Sequence, residues 1–202
     1  MSHFRKFLFA AVRSMMVWVL YLIRFVFGKS FIKMNFTFLS KLVSAANVLR
    51  ILGATVGSGA RISSDIRVYN FDGRFCRNLT IGANVFIGPG CLFDLNSKVT
   101  IEDDVSVGPQ VAFITHLDVG RQPLQSLIPK REGDITVRRG AWIGVNTTVL
   151  HGVTIGEFAM VGAMSLVNRD IPQKTLSVGI PCRLVRQFSL PDLIGSGDNI
   201  TS

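Results

Sequence analysis

The chain has 202 residues, 22 Lys and Arg against 13 Asp and Glu, a formal charge of +9, and a hydrophobic fraction of 48%. That length builds one well-buried domain with an appendage, not a string of domains. The charge excess lies wholly in the first third, where no acidic residue precedes Asp65 and the basic ones are thinly spread among apolar runs; this excludes the clustered basic face of a nucleic-acid binder.

Residues 1–50 read as a basic, apolar, helical segment. Phe7 to Phe27 is almost wholly apolar but is broken by Arg13 and Arg24, and its longest unbroken run, Met15 to Ile23, is nine residues. A transmembrane helix needs roughly 18 to 20. Basic residues continue past the apolar core and no small-x-small cleavage site follows, so a cleaved signal peptide is not the reading. Two readings remain. One is an interfacial basic helix drawn to anionic lipid, giving peripheral membrane association; the other is a set of helices that cap the domain and pack on a neighbouring subunit.

From residue 51 to 187 an aliphatic or aromatic residue recurs every sixth position. The anchors are Val56, Ile62, Val68; Ile81, Ile87, Phe93; Ile101, Val107, Phe113; and Val137, Ile143, Val149, Ile155, Val161, Val167. Glycine follows several directly, and a small or β-branched residue such as Cys91, Thr147 or Ser165 often stands four positions on. A period of six fits neither a helix nor an alternating strand. It fits a short strand plus a corner, with the anchor inward and glycine relieving the backbone. Three hexads close a triangular coil, and coils stack at about 4.8 Å with each backbone group paired to the next coil. The expected fold class is all-β: a parallel β-helix of hexapeptide repeats with an N-terminal α-helical segment and one extruded loop.

Cys76, Cys91 and Cys182 are odd in number and lack metal-type spacing, which argues against a disulfide framework and for a cytoplasmic setting. Between Phe113 and Val137 the hexads lapse and then resume in register, leaving a loop at 117–134. Loops pushed out of a regular scaffold are where binding and catalysis concentrate. His116 stands at its base; the other histidines are His3, near the terminus, and His151, at an outward corner position. Histidine is the usual general base near neutral pH and is also common at surfaces. Residues 188–202 read as a C-terminal tail.

The Ile114-Thr115-His116 triplet, the excursion after it, and the run from Gly140 to Gln187 resemble the hexapeptide-repeat acyltransferases of the galactoside, maltose and nodulation acetyltransferase group. The stretch IGPGCLFDLNSKVTIEDDV is most similar to the colanic-acid-type polysaccharide O-acetyltransferases. The resemblance covers about residues 52 to 187. It implies a left-handed coil and an acetyl-CoA-dependent O-acetyltransferase acting on a carbohydrate hydroxyl, in cell-surface polysaccharide assembly at the inner face of a membrane. It also implies a homotrimer with sites between subunits, acetyl-CoA as co-substrate and no metal.

By position, the resemblance makes His116 the general base, with the acceptor attacking the thioester directly. Asp118 or a backbone carbonyl would orient the imidazole. The backbone N–H of Val145 matches the oxyanion and pantetheine donor, and Trp142 the aromatic lining the subunit cleft. Ala163, Asn168, Arg169, Lys174, Arg183 and Arg186 fall at or near coenzyme A positions, Asn168 where Thr is frequent; Lys174 also reads as an ordinary turn cation. Asp94 and Asn96 are the expected acceptor contacts, or else a polar corner. Other readings stay open: an N-acyltransferase for serine or an amino sugar, and a non-enzymatic β-helix scaffold. A γ-type carbonic anhydrase needs three histidine ligands, which His3, His116 and His151 do not supply.

Overall fold

The computed structural model describes Met15, Trp18, Val19, Leu22 and residues 36–70, 75–120 and 123–189. The rest of the expected N-terminal segment, and the expected C-terminal tail beyond residue 189, lie outside the described residues.

Two short helices, α1 (Phe36–Leu42) and α2 (Ala45–Ile51), precede the first strand. The Ser44 hydroxyl caps α2 by accepting from the Asn47 N–H. Val48, Leu49 and Ile51 enter the same core cluster as the first coil. The Arg50 guanidinium, at the helix end, donates to the Val56 and Gly57 carbonyls at 2.9 Å, satisfying first-coil groups that have no earlier coil to pair with.

The coils follow. The first holds β1 (Thr55–Val56), β2 (Arg61–Ile62) and β3 (Arg67–Tyr69); the second β4 (Leu79–Ile81), β5 (Phe86–Ile87) and β6 (Leu92–Asp94); the third β7 (Val99–Ile101), β8 (Ser106–Val107) and β9 (Ala112–Phe113). A hairpin of β10 (His116–Leu117) and β11 (Arg131–Glu132) interrupts them. The fourth coil holds β12 (Ile135–Val137), β13 (Trp142–Ile143) and β14 (Thr148–Val149), and the fifth β15 (Thr154–Ile155), β16 (Met160–Val161) and β17 (Leu166–Val167). Last come β18 (Thr175–Val178) and β19 (Arg183–Gln187), an antiparallel pair that closes the stack.

The first strand of each coil builds one parallel sheet (face A), the second another (face B) and the third another (face C). In-register stacking, such as Ile81 on Ile101 and Ile87 on Val107, lines up the anchors, and those from Ile81 to Val167 are essentially fully buried. At roughly 25 cal/mol per Å² of apolar area, this column is the main stabilising term. The edges between faces hold the corners, and the site is built on two of them: edge C/A, which carries 95–98 and 114–134, and edge B/C, which carries 108–111 and 144–147.

The corner glycines serve a different purpose from the backbone relief expected of them. The left-handed residue sits three positions after the anchor and is frequently not glycine, as at Asn84, Asp104, Gln110 and Asn146, all with φ between 55° and 59°. The glycine directly after the anchor is needed for close stacking: a Cβ on Gly144 would lie 2.5 Å from the Ala163 backbone nitrogen in the next coil. Asn and Asp tolerate the left-handed corner because their short polar side chains bond locally; at Gly144 the backbone of the next coil leaves no room for a side chain.

Among the described residues no helix is long and apolar enough to cross a membrane. Met15, Trp18, Val19 and Leu22 are helical and exposed.

Candidate active site

Register brings the site together on edge C/A. Phe93 stacks on Phe113 across β6 and β9, ring centroids 5.0 Å apart, so the residues that follow each anchor share one corner. Asp94 follows the first and is fully buried. Its Oδ1 accepts from the Asn70 side-chain amide at 3.1 Å and the Asn96 N–H at 3.2 Å. Its Oδ2 accepts from the Thr115 N–H at 2.9 Å and meets His116 Nδ1 at 2.6 Å. Burial works to raise the Asp94 pKa, but the hydrogen bonds from His116, Asn96, Asn70 and Thr115 outweigh it and hold the carboxyl below its ordinary value.

The consequence for His116 is geometric. An ionised carboxylate only accepts, so Nδ1 carries the proton, and in the neutral imidazole Nε2 is left with its lone pair. The side chain is 21% exposed, enough to meet a ligand from outside the coil. Thr115, also buried, locks the corner: its hydroxyl donates to the Asp94 carbonyl and accepts from the Ser97 N–H, both at 3.1 Å. This is the arrangement of an oriented base, made rigid by packing beneath it.

The loop is tied down at its stem. Gly133 N–H donates to Thr115 O at 3.0 Å, and β10 pairs with β11 so that His116 stands opposite Glu132. Asn96, from the coil below, donates its side-chain amide to Glu132 Oε2 at 3.0 Å, and Lys130 lies 2.8 Å from the same oxygen. Asp118 faces elsewhere, accepting from the Gly120 N–H at 2.7 Å in a local turn. The carboxylate that meets the imidazole is therefore Asp94, expected from sequence as an acceptor contact, and Asp118 takes no part.

The donor-side candidates lie elsewhere on the prism. Val145 is at edge B/C, and among the described residues its N–H donates to no backbone carbonyl, whereas the next N–H, of Asn146, goes to Pro109 O. Ala163 stands one coil further along that edge, exposed, over Gly144. Trp142 projects from face B between Ser106 and Met160, 41% exposed while its neighbour Ile143 is buried. Arg183 and Arg186 are exposed on β19 at the end of face B, Arg186 over the Phe188 ring. Asn168 and Arg169 are exposed on edge C/A, two coils beyond His116; Lys174 is half-buried in the corner between faces A and B. Within one chain, His116 and Val145 are a full face apart.

Glu132 was absent from the sequence expectations. Its signal is faint, because the register of β10 against β11 depends on the closure of an irregular loop. Asp94 as the partner of His116 was more accessible: counting hexads places residues 94 and 114 on one edge. Among the described residues no three His, Cys, Asp or Glu side chains gather as a metal site.

No family model matches the chain. It is 28% identical over 155 residues to a galactoside O-acetyltransferase of Escherichia coli, an alignment covering 74% of this chain and 71% of that protein. A putative acetyltransferase of Staphylococcus aureus is 36% identical over 118 residues, and the match spans 59% of that protein and 58% of this chain. Among solved structures, a hexapeptide-repeat acetyltransferase of Vibrio cholerae complexed with acetyl coenzyme A superposes with a TM-score of 0.69 at 25% identity, covering 80% of this chain and 85% of that one.

Proposed function

We propose that the chain, similar as it is to hexapeptide-repeat acetyltransferases, is an acetyl-CoA-dependent O-acetyltransferase for a carbohydrate hydroxyl, working in cell-surface polysaccharide assembly in the cytoplasm at the inner membrane face. The observation that carries the reading is the buried Asp94 bonded to His116 Nδ1 at the foot of the extruded loop.

In this reading the acceptor hydroxyl oxygen attacks the thioester carbonyl while its proton passes to His116 Nε2. The new C–O bond gives a tetrahedral oxyanion, which the uncommitted Val145 N–H meets as a donor. Collapse breaks the C–S bond, and the thiolate takes the proton back from His116. Asp94 is a positioning residue: it holds the tautomer and the ring, and its charge stabilises the imidazolium. Substrate alignment supplies most of the remaining rate.

The coenzyme is received by groups whose chemistry fits it. Trp142 and exposed Met160 form an apolar flank, Ala163 keeps the corner shallow for a pantetheine arm, and Arg183, Arg186, Arg169, Asn168 and Lys174 offer donors to phosphate. Since His116 and Val145 are on different edges, a second subunit must complete each site, which supports a homotrimer of left-handed coils. The exposed Met15, Trp18, Val19 and Leu22, in a segment rich in Lys and Arg and lacking acidic residues, support peripheral contact with anionic lipid.

The test is thiol release from acetyl-CoA by the purified protein with a panel of neutral glycosides, alongside calorimetric titration of acetyl-CoA. Saturable binding weakened by Arg183→Ala, with acceptor-dependent release, is the expected result. A folded oligomer that binds no acetyl-CoA would return the chain to a scaffold role.

A further inference from the structure

Beside His116, edge C/A carries a second polar group to which the acetyl-transfer chemistry assigns no task. His116 and Glu132 are directly opposed in the antiparallel stem. The adjoining pair, Thr115 and Gly133, carries the cross-strand bond, so His116 and Glu132 form the narrow, non-hydrogen-bonded kind of pair, with their side chains on one face of the ribbon and Cβ atoms about 4.5 to 5.5 Å apart. Two donors, the Asn96 amide at 3.0 Å and the Lys130 ammonium at 2.8 Å, hold Oε2. Among the described residues Oε1 accepts nothing, and the side chain is 54% exposed. The hydrogen bonds from Lys130 and Asn96 and the charge of Lys130 keep the carboxyl below its ordinary pKa, so it is ionised near neutrality. The arrangement is a carboxylate fixed by one oxygen and offering the other, a side chain away from the base.

We infer that Glu132, braced by Asn96 and Lys130, is the specificity-determining residue of the acceptor subsite: Oε1 accepts a hydrogen bond from the hydroxyl adjacent to the one His116 deprotonates, so that the site takes a vicinal diol of a sugar and acetylates one chosen member. This rests on the O-acetyltransferase reading above. Glu132 takes no part in bond making; the acetyl group and proton move as already described. Its effect is on which hydroxyl reaches Nε2. A single contact at His116 leaves the sugar free to present either neighbour, and a second contact at a fixed separation removes that freedom. Asn96 thereby keeps the acceptor role expected of it, but through Glu132, while Asp94 lies beneath the surface and holds the base.

The experiment uses the full chain, acetyl-CoA, and a panel of galactosides, glucosides and maltose, with thiol release as the rate and the acetylated position read by NMR. For the best glycoside, the deoxy analogue lacking the hydroxyl next to the acetylated one should lose about 10- to 100-fold in kcat/KM, the worth of a charge-assisted hydrogen bond. Glu132→Gln, nearly isosteric at an exposed site, should lower kcat/KM on the parent glycoside by a similar factor, leave the deoxy analogue nearly unaffected, scatter acetylation over neighbouring positions, and leave the KM for acetyl-CoA unchanged. Glu132→Ala should do the same, with thermal melting confirming the fold. A Glu132→Gln enzyme that keeps the wild-type discrimination and single product overturns the inference while leaving the transferase reading intact. Failure of the wild type to acetylate any member of the panel would overturn both.

Discussion

Edges B/C and C/A of the same prism are built on opposite terms. Edge B/C keeps the repeat without interruption: Gly108, Gly144 and Gly162 follow their anchors, and a Cβ at any of them would meet an atom of the next coil within 2.9 Å. Edge C/A breaks the repeat with the hairpin and collects polar groups that a β-helix core would otherwise reject, including buried Asp94 and Thr115. A buried carboxylate is tolerated only when its lone pairs are taken, and here four donors take them. The regular edge offers a shallow backbone surface suited to a long flexible thioester, while the irregular one offers a side chain held at a set angle.

If that division of labour is right, Asp94→Asn should be costly for function. An amide at this position presents an N–H to Nδ1, so the imidazole flips to the tautomer protonated at Nε2 and cannot receive a proton. A loss of about 10⁴-fold in kcat, the size seen where an orienting carboxylate is amidated, with acetyl-CoA affinity unchanged, is the expected outcome in steady-state kinetics and calorimetry. Phe93→Ala removes the stack beneath the same corner and should cost about 3 to 5 kcal/mol of stability by denaturant unfolding. On the other edge, Gly144→Ala forces a methyl against the Ala163 backbone, which cannot swing aside as a side chain would. A loss of about 1 to 3 kcal/mol, accompanied by weaker acetyl-CoA binding with the Asp94–His116 pair untouched, would separate the two edges cleanly.

The smallest effect is in pH. Asp94 has a folded-state pKa below its ordinary 3.8, so the stability it adds is fully present above the unfolded value and is lost as pH falls through the folded one. The stability difference between wild type and Asp94→Asn should therefore shrink as pH falls below about 3.8. A gap that widened with acid would mean that the carboxyl is buried neutral.

How much of this was legible in the sequence follows the same division. The anchors from Ile81 to Val167 announce the three-sheet stack, because burial repeats on every sixth residue whatever lies between. The reason for the corner glycines was not legible: spacing shows where they fall but not that the next coil's backbone lies against them, with the strained conformation carried by Asn84, Asp104 or Asn146 instead. At the site, sequence singled out both His116 and Asp94 but not their contact, since H-x-D drew attention to Asp118, which turns back to Gly120. Neighbours in the chain lost to neighbours in the stack. Glu132 stayed hidden for a further reason: its place opposite His116 depends on how residues 117 to 131 close, and that loop has no period to count.

The central claim is that edge C/A provides an oriented base and the regular edge receives the donor. Its most direct test is His116→Ala, assayed for thiol release at saturating acetyl-CoA while acetyl-CoA affinity is measured on the same preparation. The account predicts a loss of at least about 100-fold in turnover, the contribution of a general base, with affinity within twofold of wild type. Undiminished turnover, or an affinity that falls along with the rate, would contradict it.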